Sequence, residues 1–127
     1  MAFLLNGQNT KPSYIFGKVE LIDETKLPSN SIIDLELNST LVDGHIIATG
    51  NDSRTEIINK NGILRIGSLT VAKWVNENSI WMHSGSILYC SESTQSLNIS
   101  TTNAKANISG KGTIIIEATQ NGGFKFI

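Results

Sequence analysis

Turn dipeptides cut this chain into short apolar runs, and that punctuation constrains the fold more than any other feature. Asp43-Gly44 stands between Leu41-Val42 and Ile46-Ile47, and Asn61-Gly62 between Ile57-Ile58 and Ile63-Leu64-Arg65-Ile66. Asp-Gly and Asn-Gly take the positive φ of type I′ turns with little strain, so each pair predicts a β-hairpin. A later hairpin is expected where Ser84-Gly85 separates Ile80-Trp81-Met82-His83 from Ser86-Ile87-Leu88-Tyr89-Cys90.

Period-two alternation fills in the strands. Residues 14–22 read as one half-buried strand, with Val19 and Leu21 on one face and Lys18 and Glu20 on the other. Residues 23–31 hold Pro28 among polar residues and read as a loop. After it, Ile33, Leu35 and Leu37 alternate with Asp34, Glu36 and Asn38, the clearest strand pattern in the chain. Short strands are also expected over 97–100, 104–109, 113–118 and 124–127, the last two joined through Gln120-Asn121-Gly122-Gly123. Helical spacing occurs within 70–76, where Val71, Trp74 and Val75 would share a face for one turn.

These signals predict an all-β, single-domain antiparallel β-sandwich or jelly-roll-like fold with tight hairpins and at most one short helical turn. A small barrel fits the same strand spacing. A β-solenoid is the main rival, but it should repeat every 20 residues or so, and no such register is found. The 127 residues suit one domain, 1–127, with 1–13 expected as a loosely ordered N-terminal arm.

Composition narrows the function classes. A net charge of −1 leaves no excess cation to neutralise a phosphate backbone, which argues against nucleic-acid binding. Lysines and arginines are spread from Lys11 to Lys125, so no anionic-membrane patch is expected. No segment has the length of a membrane-spanning helix, and Met1-Ala2-Phe3-Leu4-Leu5 lacks the basic start and long apolar core of a secretory signal. The single cysteine, Cys90, lies in an apolar run and reads as a buried, inert thiol, consistent with a reducing cytoplasm. Sequons at Asn38, Asn51, Asn98 and Asn107 are expected by chance in a chain rich in Asn, Ser and Thr.

No motif for catalysis emerges. His45 and His83 stand far from each other and from the short spacings of metal ligands, so no metal or other cofactor is expected. No serine occupies a Gly-x-Ser-x-Gly elbow. Glu20, Asp34, Glu36 and Glu117 alternate with apolar residues and read as solvated outer-face positions. Gly110-Lys111-Gly112-Thr113 lacks the full phosphate-loop spacing and reads as a turn into a strand.

Two sets of apolar residues remain as candidates. Ile114, Ile115 and Ile116 with Phe124, Phe126 and Ile127 are apolar at successive or near-successive positions, which for a strand means burial on both faces or contact with another chain. Trp74, Trp81 and Tyr89 offer flat rings for a sugar or another small ligand, although core packing is the commoner fate of such rings.

Residues 76–91, Asn76-Glu77-Asn78-Ser79-Ile80-Trp81-Met82-His83-Ser84-Gly85-Ser86-Ile87-Leu88-Tyr89-Cys90-Ser91, form a polar turn, a strand, a glycine and a second apolar strand. This segment resembles a repeated element of the altered-inheritance-of-mitochondria family, whose members share a β fold with the tryptophan RNA-binding attenuator. Ser109-Gly110-Lys111-Gly112-Thr113-Ile114-Ile115-Ile116 resembles the glycine-bracketed strand that follows in such proteins. The likeness covers the C-terminal half, and the chain is shorter than members with two repeated halves. It implies a compact β-sandwich-like domain, oligomerisation and a non-enzymatic role. The attenuator's RNA binding does not carry over, because no periodic Lys/Arg set is present. Cupin-like jelly rolls carry a similar short signal, but the histidine-rich metal motif of active cupins is missing.

The leading expectation is a non-catalytic β module that acts by self-association, as a homo-oligomer or with another protein, in the cytoplasm or in an assembled particle such as a virion. The alternative is a carbohydrate or small-ligand binding module using exposed aromatics, and an enzyme is the least favoured class.

Overall fold

In the computed structural model, which describes residues 10–25 and 32–127, every helix or strand is a strand. In chain order these are β1 (Lys11–Phe16), β2 (Val19–Asp23), β3 (Ile32–Asp34), β4 (His45–Thr49), β5 (Arg54–Asn59), β6 (Gly62–Ile66) and β7 (Val71–Asn76). They continue with β8 (Ser79–Ser84), β9 (Ser86–Ser91), β10 (Leu97–Ser100), β11 (Lys105–Ile108), β12 (Gly112–Ala118) and β13 (Phe124–Phe126).

The strands form a six-stranded sheet, β1-β5-β6-β9-β12-β13, packed on a seven-stranded sheet, β11-β10-β8-β7-β4-β2-β3. The sandwich expected from the alternation is therefore the architecture. Pairing is antiparallel throughout except between β8 and β10, which run parallel from Ser79 beside Asn98 to Trp81 beside Ser100. The core lies between the sheets. Val19, Leu21, Ile47, Ala72, Trp74, Ile80 and Met82 face inward from one, and Ile57, Leu64, Ile66, Ile87, Tyr89 and Ile116 from the other.

Local sequence reading fails where the chain changes sheets. The strand expected over 14–22 is two strands, one in each sheet, broken at Gly17, whose φ of +77° suits glycine. Ser84-Gly85 likewise turns no hairpin. β8 ends in the seven-stranded sheet and β9 begins in the six-stranded one, with Gly85 at φ +91° between them.

The two switch points are built alike. Ser53 and Thr70 are buried hydroxyl residues, and a Cβ added at Gly17 or Gly85 would overlap Ser53 or Thr70 respectively. Each hydroxyl also accepts the amide after its glycine: Lys18 N–H donates to Ser53 Oγ at 2.8 Å, and Ser86 N–H to Thr70 Oγ1 at 3.0 Å. Further bonds tie in the crossings at 50–53 and 67–70. Gly50 N–H donates to Lys18 O (2.9 Å), Gly67 N–H to Ser86 O (3.0 Å), and Thr49 Oγ1 to Gly67 O (2.6 Å). Here the Gly, Ser and Thr residues satisfy the backbone groups that leave one ladder before entering the next.

Other expectations change for tertiary reasons. Residues 70–76 form no helical turn but contribute to strand β7, because Ala72 and Trp74 alternate into the core while the strand pairs with β4 and β8. The strand expected over 33–38 stops at Asp34; Leu35 drops into the core and Leu37 is exposed. Leu41 is buried without being in a strand, and Asp43-Gly44 leads into β4 rather than closing a hairpin.

Asn61-Gly62 does lie at a hairpin, but the two-residue loop is Lys60-Asn61 between paired Asn59 and Gly62. Asn59 Oδ1 accepts the amides of Asn61 (2.8 Å) and Gly62 (3.1 Å), and a Cβ on Gly62 would strike the Cys90 carbonyl. Lys11 to Ser13 belong to β1, so the arm expected over 1–13 does not include them; residues 1–9 lie outside the described part.

Candidate functional site

Register across the six-stranded sheet sets its outer face. Tyr14 pairs with Glu56, Glu56 with Arg65, Arg65 with Leu88, and Leu88 with Ile115, so these side chains form one outward row. Ile115 in turn exchanges both backbone hydrogen bonds with Ile127 (3.2 and 2.9 Å). Beside this row the face drops away at Gly67 and Ser86, one without a side chain and one with a small one. The result is an open depression of about 710 Å³, walled by Tyr14 and Arg54 on one side and by Leu88 and Ile115 on the other.

Its two guanidiniums are held differently. Arg65 Nε donates to Glu56 Oε2 at 2.7 Å, and that carboxylate raises the already high pKa of the guanidinium; Ser13 Oγ donates to Glu56 Oε1 at 3.1 Å. Arg54 lies over two aromatic rings, 4.8 Å from the Phe16 centroid and 5.9 Å from that of Tyr14. It is in no ion pair among the described residues.

The aromatics singled out from the sequence do not share a surface. Trp74 and Tyr89 are core residues, 5% and 3% exposed, because their positions alternate inward on β7 and β9. Trp81 is half-buried beside Lys73 on the outer face of the seven-stranded sheet, its ring centroid 5.6 Å from that of His83. The expected interface residues also divide. Ile116 has no exposed surface, Ile114 and Phe124 pack partly on the core, and Ile115 faces outward. Phe126 and Ile127 are 45% and 63% exposed at the sheet edge. Cys90, expected in the core, is instead half-buried on the outer face, 3.6 Å from Thr113 Oγ1.

Among the described residues, His45 has the one histidine–carboxylate contact. Its Nε2 stands 3.5 Å from Asp23 Oδ2, while its Nδ1 accepts the Val42 amide at 3.2 Å. Asp23 Oδ1 accepts from the hydroxyl (2.6 Å) and amide (3.0 Å) of Thr25, which lowers its pKa. A histidine acting as general base needs one ring nitrogen facing the reacting proton. Both nitrogens of His45 are engaged, so the pair ties the turn before β4 to β2. Among the described residues no three His, Cys, Asp or Glu side chains gather as metal ligands.

Compared with known proteins, the chain matches no family model, no curated protein and no solved structure.

Of the residues that line the depression only Ile115 was singled out from sequence, as an interface residue, yet part of the signal for the others is there. Tyr14 and Phe16 are two apart, as are Arg54 and Glu56, so each pair falls on one strand face. Nothing local says that β1 lies next to β5, which brings the pairs together.

Proposed function

We propose that the chain is a non-catalytic β module that acts by self-association, as a structural or assembly component, through the β13 edge of its six-stranded sheet. The observation that carries this reading is the ladder between β12 and β13. Ile115 and Ile127 bond to each other through both N–H and C=O, so by antiparallel alternation the N–H and C=O of Phe126 point away from β12. Phe126 and Ile127 are exposed beside those groups.

An apolar edge with unpaired backbone groups is a template for another strand. The far edge of the sheet is blunted, since β1 carries Pro12 and a bulge between Pro12 and Tyr14. On the other sheet, edge strand β11 presents Lys105 and Asn107 as exposed residues. Antiparallel pairing of β13 with β13 of a second copy joins two six-stranded sheets into one. The resemblance of 76–91 and 109–116 to an oligomerising β family points the same way.

Light scattering over a concentration series tests the proposal. The expected result is a discrete oligomer for the native chain and a monomer with an unchanged β spectrum for Phe126→Pro, since proline removes only an N–H that faces away from β12. A strict monomer at high concentration, or an oligomer unaffected by Phe126→Pro, overturns it.

A further inference from the structure

We infer that the depression beside Gly67 and Ser86 is a binding site for a small amphipathic monocarboxylate, with Arg54 taking the carboxylate and Leu88 and Ile115 taking the apolar body. The site does not depend on the β13 edge, because edge pairing leaves the outer face of the sheet open.

The argument begins with the charges. Arg65 and Glu56 neutralise each other at 2.7 Å, whereas Arg54 is in no ion pair among the described residues. Its guanidinium carbon lies 4.8 Å from the Phe16 ring centroid and 5.9 Å from that of Tyr14, which position the cation at the rim of the hollow without neutralising it. One uncompensated cation calls for one negative charge. With Arg65 and Glu56 already paired, the lone Arg54 charge matches a monoanion rather than a dianion such as a phosphate monoester.

Shape and lining supply the rest. The volume of about 710 Å³ falls within the ~300–1,000 Å³ usual for small-molecule sites. The outward-facing Leu88 and Ile115 supply its apolar side chains, and the small Ser86 lies beside them. The hollow exists because residue 67 has no side chain and Ser86 a short one. A Cβ on Gly67 would stand 2.7 Å from Ser86 Oγ.

The test is an NMR titration of the ¹⁵N-labelled chain with 3-phenylpropionate, its neutral amide and phenyl phosphate. The expected result is a saturable shift of the Gly67, Ser86 and Leu88 amides by the carboxylate. The amide, and the carboxylate with Arg54→Gln, should each bind at least about tenfold more weakly, the loss of one charge-assisted pair, and phenyl phosphate should bind more weakly than the carboxylate because a single cation leaves its second charge unmatched. Light scattering of Arg54→Gln should match the native chain. No saturable shift with the carboxylate, or equal binding of acid and amide to the native chain, overturns the site. Undiminished binding by Arg54→Gln removes Arg54 from it, and phenyl phosphate binding as tightly as the carboxylate overturns the monoanion assignment.

Discussion

Gly85 and Thr70 meet at the point where the chain leaves one sheet for the other: a Cβ on Gly85 would stand 2.6 Å from Thr70 Cβ and closer still to its hydroxyl. Thr70 is fully buried, and its Oγ1 accepts the Ser86 amide, so it has little freedom to withdraw. Gly110 has the same φ of +91°, but a Cβ there would meet nothing within 4 Å. Gly110→Ala is therefore expected to cost only the left-handed backbone term of about 1–2 kcal/mol. Gly85→Ala should cost about 1–3 kcal/mol more from overpacking. Denaturant unfolding of both variants isolates the contact, and equal losses would show that it has no energetic weight.

The six apolar residues near the C-terminus should separate by position. Ile116→Ala removes a fully buried side chain from the core and is expected to destabilise each protomer by about 2–5 kcal/mol. Ile127→Ala, at an exposed edge position, should stay within ~0.5 kcal/mol when unfolding is followed at dilution, yet should weaken the oligomer. Unfolding curves at low concentration paired with light scattering at high concentration check both halves.

Acid stability should carry the mark of Asp23. Hydrogen bonds from Thr25, with a smaller part from His45, hold its pKa below the ordinary 3.8. A carboxylate with a depressed folded pKa contributes stability that is whole above its unfolded value and is lost as pH falls through the folded one. The contribution is thus whole well above pH 3.8, begins to fall as pH nears that value and is lost as pH drops through the lower folded pKa. Asp23→Asn should flatten the stability–pH curve in that acid window while leaving its slope near neutrality unchanged; a variant curve parallel to the native one down to the lowest pH would remove Asp23 from the account.

Short β-branched runs, period-two alternation and frequent Gly, Asn and Ser were enough to determine an all-β chain, since these are local preferences of backbone and side chain. They also located most strands, including 97–100, and the hairpin read at Asn61-Gly62, whose loop lies one residue earlier. What they could not determine was sheet membership. Gly17 and Gly85 read locally as a residue within a strand and a hairpin turn, and only the buried Ser53 and Thr70 opposite them show that the chain crosses between sheets there. The helical spacing of Val71, Trp74 and Val75 was likewise overruled by strands β4 and β8 on either side. The candidate site is a product of tertiary structure in the same sense. Tyr14 and Phe16 are some forty residues from Arg54, and the hollow beside them depends on Gly67, just after β6, meeting Ser86 at the start of β9. Alternation along one strand specifies which face a side chain takes, but strand order, set by how all the apolar faces are buried together, decides its neighbours.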